Sequence, residues 1–391
     1  MARRGENIRK RKDGRWEGRF SKGKKDGKYI QGSVFGKTYQ EEKTKLIQAK
    51  ISQQESQKST SEKQSMAMTE LFSVASEEWL SASTPTLKES SIARYRNILD
   101  TYLLPEFSEK RVVDISRDDV ATFSTKLLTS GGKRGDGLAP KTVSGIISVL
   151  KNVIDYIHHV KCVPTMDFDG LTVKLQQKQL RIFSILEQKI LTDYLIENPT
   201  LVNLGVLICL YTGLRIGELC ALKWGDISDV EKKIHVSRTM QRIQKPDDNG
   251  NKTQIIITAP KSNCSIRDIP IPDNVFQIIE PMKQPSSCFF LTSSEKNYIE
   301  PRCMENYFNR IMADCNIQHA TMHTCRHTFA TRCVELGFDI KSLSEILGHA
   351  SVAITMNRYV HPSMELKKEN MNKFSDMIRV KIRVNPENED E

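Results

Sequence analysis

Residues 347–362 read LGHASVAITMNRYVHP, and they raise the question of why His349 is followed ten residues later by Tyr359. Alone, this is one tyrosine on a chain segment. Two earlier stretches bear on it. TGLRIGELCALKW, residues 212–224, places Arg215 at the start of an apolar helix (Ile216, Leu219, Cys220), where an isolated arginine needs a partner and Glu218 stands three residues on. HTCRHTFAT, residues 323–331, sets His323 and Arg326 three apart, on one helix face. Such an arginine can fork two donors onto a phosphate or carboxylate, and the histidine adds a donor or a proton acceptor. Each motif by itself also fits a blander account, a helix salt bridge in the first case and a capped surface helix in the second.

The charge distribution points to a polyanion. Formal net charge over the 391 residues is +10, and residues 1–50, with 16 Lys/Arg against 6 Asp/Glu, carry all of it. A short basic, aromatic-bearing head on a neutral body favours nucleic acid over anionic lipid, because no amphipathic membrane helix accompanies it. Nine cysteines scattered without a CxxC pair fit a reducing compartment. The start has charge but no apolar signal-peptide core, and the stretch LVNLGVLICLYTG from Leu201 is too short for a membrane span. The expected protein is cytoplasmic and nucleoid-associated, with no membrane.

The pattern predicts a multidomain, mainly α chain with small β-sheets. In the head, Trp16, Gly18 and Phe20 alternate, and Asp13-Gly14 and Asp26-Gly27 mark tight turns, which predicts a three-stranded sheet. Thr38 and Glu41 form a capping box for a helix whose Leu46, Ile47 and Ile51 could cover that sheet, completing a domain over residues 1–51. Residues 52–65 contain no core-forming side chain and are expected to be a linker. A compact four-helix domain is expected over 66–165, from Leu71, Val74, Ala75 and Trp79 through Ile92, Tyr95, Leu99 and Leu103 to a long apolar periodicity from Ile146 to Ile157. Its basic loop at 129–142 could lie against DNA. Ser184 with Glu187 opens a last, mixed α/β domain over 184–391. Strand-like runs there cover 233–238, 255–260 and 265–271, the last two close enough to form a hairpin.

Other chemistry fits poorly. Gly32 to Thr38 has three residues between its glycines where a phosphate loop needs four. Cys315, His319, His323, Cys325 and His327 crowd together but lack the usual paired zinc-ligand spacing. No metal and no cofactor is expected.

In their order and local contexts, Arg215, His323, Arg326, His349 and Tyr359 closely resemble the tyrosine recombinases, the integrases that cut and rejoin DNA through a tyrosine. The resemblance covers residues 184–391, and Lys261, in IIITAPKSNCSIRDIPIP, matches the lysine that the family carries in a β-hairpin turn. It implies an arm-site-binding head, a helical core-binding domain and a catalytic domain. It also implies that Arg215 and Arg326 hold the non-bridging phosphate oxygens, Lys261 protonates the departing 5′ oxygen, His323 assists proton transfer from Tyr359, and His349 donates to the phosphate. Glu218 would orient Arg215. The product would be a 3′-phosphotyrosyl bond, resolved through a Holliday junction.

The implied partners are double-stranded DNA at core and arm sites, a homotetramer on that DNA, an excisionase and a host DNA-bending protein. The tail carries Met364, Leu366, Met371, Phe374, Met377 and Ile378 near helical spacing and could pack on its own domain, while the resemblance implies docking on the neighbouring protomer. Two alternatives stay open, a Xer-like resolvase or invertase and a non-catalytic DNA-binding accessory protein.

Overall fold

The computed structural model describes residues 7–25, 28–52, 69–132, 135–161, 165–168, 170, 171, 173, 180–245, 252–260, 263–360, 368, 371 and 372. The chain divides into two compact units, Met1–Gln176 and Gln177–Glu391.

The first unit opens with an antiparallel sheet of β1 (Ile8–Lys10), β2 (Trp16–Lys25) and β3 (Lys28–Gly36), in that order. Gly14, at φ 84°, makes the first turn in the left-handed region that Asp-Gly pairs favour. The second expected turn, at Asp26-Gly27, lies outside the described residues. Helix α1 covers residues 39–52. The Thr38 hydroxyl accepts from the Glu41 N–H at 3.2 Å, but the Glu41 carboxylate takes the Lys37 N–H at 2.9 Å, so the return bond of the box falls one residue early. The covering face also differs from expectation. Leu46 and Glu42, one turn apart, are buried, whereas Ile47 and Ile51 are about half exposed. Gly18 explains the choice, because a Cβ there would crowd the Glu42 carboxylate and Leu46.

Farther along the unit come α2 (Phe72–Ser83), α3 (Glu89–Ile98), which continues through a π-turn at Leu99–Leu103 into α4 (Leu104–Phe107), then α5 (Arg117–Ser130) and α6 (Pro140–Lys161). Helix α6 buries Val143, Ile146, Leu150, Val153, Ile154 and Ile157 along one stripe, and Phe72, Trp79, Leu103, Phe107 and Phe123 share its core. In α2 the helix starts at Phe72, so Phe72, Ala75 and Trp79 point inward while Leu71 and Val74 are exposed.

The capping box expected at Ser184 is present in the second unit. The Ser184 hydroxyl accepts from the Glu187 N–H at 3.1 Å and the Glu187 carboxylate accepts from the Ser184 N–H at 2.8 Å, opening α7 (Ile185–Glu197). Helix α8 (Leu201–Thr212) is buried along most of its length and packs against the helix at Met322–Glu335. After α9 (Ile216–Ala221) the chain forms β4 (Ile227–Ser228), β5 (Lys233–Val236), β6 (Thr239–Gln244), β7 (Thr253–Thr258) and β8 (Arg267–Pro270). Helices α10 (Asp273–Ile279), α11 (Pro301–Asp314), α12 (Met322–Glu335), α13 (Ile340–Leu347) and α14 (Val352–Tyr359) follow.

The expected hairpin between residues 255–260 and 265–271 does not form. β7 pairs instead with β6, Thr258 opposite Thr239, and β8 pairs with β5, Arg267 opposite Val236. The run TMQRIQ supplies the missing partner, burying Met240 and Ile243, and Asn263–Ser265 make a 3₁₀ turn that separates β7 from β8. Residues 259–266 therefore connect two different sheets. Lys261 itself lies outside the described residues, as does the tail beyond Val360 except Lys368, Met371 and Asn372. Among the described residues no helix is long and apolar enough to cross a membrane.

Candidate active site

Gly213 ends α8 at φ 68°, a conformation open to glycine, and a Cβ there would sit 2.7 Å from the Phe329 ring and 3.0 Å from Leu347. This turn sets Arg215, in extended conformation, at the N-cap of α9. The predicted partner is present: Arg215 Nη1 donates to Glu218 Oε1 at 2.7 Å, and the Arg215 N–H donates to Oε2 at 3.0 Å.

A residue that the sequence motifs did not single out shares the carboxylate. Arg267 Nη1 and Nη2 donate to Glu218 Oε1 and Oε2 at 3.0 and 2.9 Å. Burial alone would raise the pKa of Glu218, but the hydrogen bonds from Arg267 and the charges of Arg267 and Arg215 hold it at about 2. The signal was there in RDIP: Arg267 is in phase with buried Ile269, an inward-facing charge on a strand.

Helix α12 contributes Arg326, which is 2% exposed. Its Nη1 donates to Gly213 O at 2.7 Å, and its Nη2 donates to Leu347 O at 2.6 Å and lies 3.0 Å from His349 Nε2. Burial and the nearby Arg215 charge lower its pKa to about 9, which leaves it cationic at neutral pH. His349 is held neutral, pushed down to about 3 by burial and by the charges of Arg326 and Arg215. Accepting at Nε2, it carries its proton on Nδ1, 2.8 Å from Thr355 Oγ1. The donor expected to face a phosphate is thus directed at Thr355, and His349 braces Arg326.

Helix α14 buries Thr355 and Tyr359, one turn apart on the same face. Tyr359 is 6% exposed, and its hydroxyl lies 2.9 Å from His327 Nδ1. The expected neighbour was His323. That ring stands edge-on to His327, 4.9 Å between centroids, one turn back on α12. The His323 pKa is lowered by burial and the charges of Arg326 and Arg215, and that of His327 falls to about 4 through burial and the charge of His323. Burial raises the Tyr359 phenol above its ordinary value, against the pull of Arg326 and Arg358. The His349 and Tyr359 rings lie parallel with centroids 6.3 Å apart. Arg215, Arg326, His323, His349 and Tyr359 therefore converge through contacts that add His327, Arg267 and Thr355.

The buried Arg326 and Arg267, the partly exposed Arg215, neutral imidazoles and a phenol meeting near the ends of α8, α12 and α13 make an arrangement suited to a phosphodiester. The phage integrase family profile matches residues 176–365, spanning every one of these groups, and the profile of the phage integrase N-terminal SAM-like domain matches residues 71–128. The chain belongs to the phage integrase family. It is a tyrosine recombinase, the family its motifs resemble.

Among its relatives, a XerC-like tyrosine recombinase from Caldanaerobacter subterraneus is 30% identical over 189 residues, which is 44% of this chain and 48% of the relative. The ICEBs1 integrase of Bacillus subtilis is 23% identical over 294 residues, 72% of this chain and 76% of the relative. The chain thus spans about half the length of the first relative and three quarters of the second. Among solved structures, the Tn1549 transposon integrase in complex with transposon right end DNA superposes with a TM-score of 0.63 at 18% identity, covering 78% of this recombinase and 100% of that chain. A lambda integrase tetramer bound to a Holliday junction gives 0.54 at 14% identity, covering 92% and 98%. Both likenesses bear on the fold.

Proposed function

We propose that this recombinase is an integrase that inserts and excises a mobile genetic element, cutting and rejoining double-stranded DNA through a 3′-phosphotyrosyl bond at Tyr359. The observation that carries the proposal is the phenol of Tyr359 docked 2.9 Å from a neutral histidine, in the charge field of Arg215 and Arg326. Phenolate formation at pH 7 costs about 4 kcal/mol for an unperturbed tyrosine, and burial increases that cost. The site has to offset it. As the phenol attacks, charge builds on the two non-bridging oxygens, and planar guanidiniums suit that pair.

The short contact supports His327 as the group that takes the phenolic proton, with His323 packed behind it. An arriving phosphodiester would partly neutralise the surrounding cations and make His327 more basic. Lys261 is the candidate acid for the 5′ oxygen. Arg326 and Tyr359 are almost sealed from solvent, whereas the Arg215 side chain is about one-third exposed, so Arg215 is the member of the arginine pair that an arriving phosphate meets first. Three working parts are assigned to the chain: residues 1–51 for arm sites, 66–165 for the core site, and 184–391 for chemistry and tail exchange, with 52–65 as linker.

Recombination would run on a homotetramer assembled on DNA and pass through a Holliday junction, with an excisionase and a host bending protein setting direction. Type IB topoisomerase-like strand transfer and a nucleoid-associated, cytoplasmic location accompany this reading. The ICEBs1 and Tn1549 integrases support the mobile-element assignment through their coverage of both units. The test is covalent trapping on a nicked attachment-site duplex followed by peptide mapping. An adduct at Tyr359 is expected, and an adduct at any other tyrosine would overturn the proposal.

A further inference from the structure

Three arginines end on three consecutive carbonyls. Arg267 Nε donates to Ile346 O at 2.6 Å, Arg326 Nη2 to Leu347 O at 2.6 Å, and Arg215 Nη2 to Gly348 O at 3.2 Å. These carbonyls close α13, where the helix leaves its last acceptors without helical partners and its dipole presents partial negative charge. Two of the three arginines belong to the proposed phosphate clamp. Arg267 does not: its side chain is 6% exposed, and its hydrogen bonds run to Glu218, Ile346 and Ser265.

The geometry points to Arg267 as a positioning residue that fixes the Arg215 guanidinium, acting through Glu218 and the Ile346–Gly348 carbonyls. Glu218 Oε1 receives both Arg215 and Arg267. A carboxylate gripped by Arg215 alone could turn about its last torsion, and the two-pronged hold from Arg267 fixes its plane. Arg267 also shapes the backbone that Arg215 reaches. Gly348 sits at φ 62°, and a Cβ there would lie 3.0 Å from Arg267 Cδ and 3.1 Å from its Nη1. The glycine before His349 thus lets the chain pass over this arginine. Lysine could keep the charge but not the fork.

This inference rests on the recombinase reading of the site, and its test separates the two. Single-turnover cleavage of a nicked core-site duplex is measured for the full chain, for Arg267→Lys, for Arg215→Lys and for the double variant. Each is assayed on a scissile phosphodiester and on the uncharged methylphosphonate. Arg267→Gln runs in parallel, and all assays are made below melting temperatures measured by circular dichroism.

Arg267→Lys is expected to bind core DNA as the parent does and to cleave the phosphodiester on the order of 10²-fold more slowly, the penalty of a misplaced group. The deficit should shrink on the methylphosphonate, which needs less from Arg215. The double variant should be no slower than Arg215→Lys alone, because one residue works through the other. A general folding defect would slow both substrates alike and add to Arg215→Lys, and either result would overturn the inference. A parent enzyme that forms no Tyr359 adduct would overturn the recombinase reading as well, and that control does not involve Arg267.

Discussion

The hydroxyl of Tyr359, on α14, is 2.9 Å from Nδ1 of His327, on α12, and both groups are nearly sealed from solvent. His327 is neutral in this setting, with its pKa at about 4, and in the tautomer protonated at Nε2 its Nδ1 accepts from the phenol. Replacing it removes the acceptor of the phenolic proton. His327→Ala is expected to lower the single-turnover cleavage rate by about 10²-fold, within the usual range for general acid–base assistance, while leaving core-site affinity intact. A cleavage rate equal to the parent's would return the proton-transfer role to His323.

Arg326 has no room for a lesser cation. Lysine in its place cannot reach Gly213 O, Leu347 O and His349 together, so Arg326→Lys should lose roughly 3 kcal/mol of transition-state stabilisation, on the order of 10²-fold in rate. Stopped-flow or quench cleavage of a nicked duplex reads this directly. Retention of more than half the parent rate would remove Arg326 from the phosphate clamp.

Acid should destabilise the catalytic unit in a defined window. His327 and His349 have folded pKa values of about 4 and about 3, below the 6.5 of an unfolded histidine. Between those limits the unfolded chain binds more protons, so stability falls as pH drops from about 6.5 toward 4. Glu218, held at about 2 against 4.5, has the same sign, and its contribution is lost as pH falls from about 4.5 toward 2. Thermal melts of the parent and of His327→Gln across pH 4 to 7 check this. The variant should show a shallower slope, and parallel curves would count against a buried neutral His327.

Gly213 carries both a left-handed backbone and a close approach to Phe329 and Leu347. Gly213→Ala should cost about 1–3 kcal/mol in strain and overpacking, read by chemical denaturation. It should also weaken cleavage, because Gly213 O anchors Arg326.

The basic head makes a separable prediction. Deleting residues 1–65 should abolish arm-site binding and integration but leave core-site cleavage. Arm-site affinity of the full chain should fall roughly 10³- to 10⁵-fold between about 50 and 200 mM salt if about 6 to 10 phosphates are contacted. Integration undiminished by the deletion would favour the Xer-like alternative.

Much was legible in the sequence because it was local. The Ser184–Glu187 box and the helical periodicity of α6 follow from neighbours a few residues apart. Three short motifs in order were enough to mark Arg215, His323, Arg326, His349 and Tyr359 as one group. Strand pairing was not legible, because β7 had two candidate partners within reach and nothing local separated them. The head's covering face was misassigned for a related reason: Gly18 on the sheet decides which side of α1 can approach.

The sequence by itself, through its resemblance to a known family, marked Arg215, His323, Arg326, His349 and Tyr359 as one group and pointed to the family. Tertiary structure decided what each one touches. Arg267 lies 49 residues from Glu218, and His327 lies 32 from Tyr359. At those separations no helical or strand period relates the partners. What brings them together is the packing of α12 on α8 and the end of α13, which gathers buried charges where only an exact complement of donors and carbonyls can keep them.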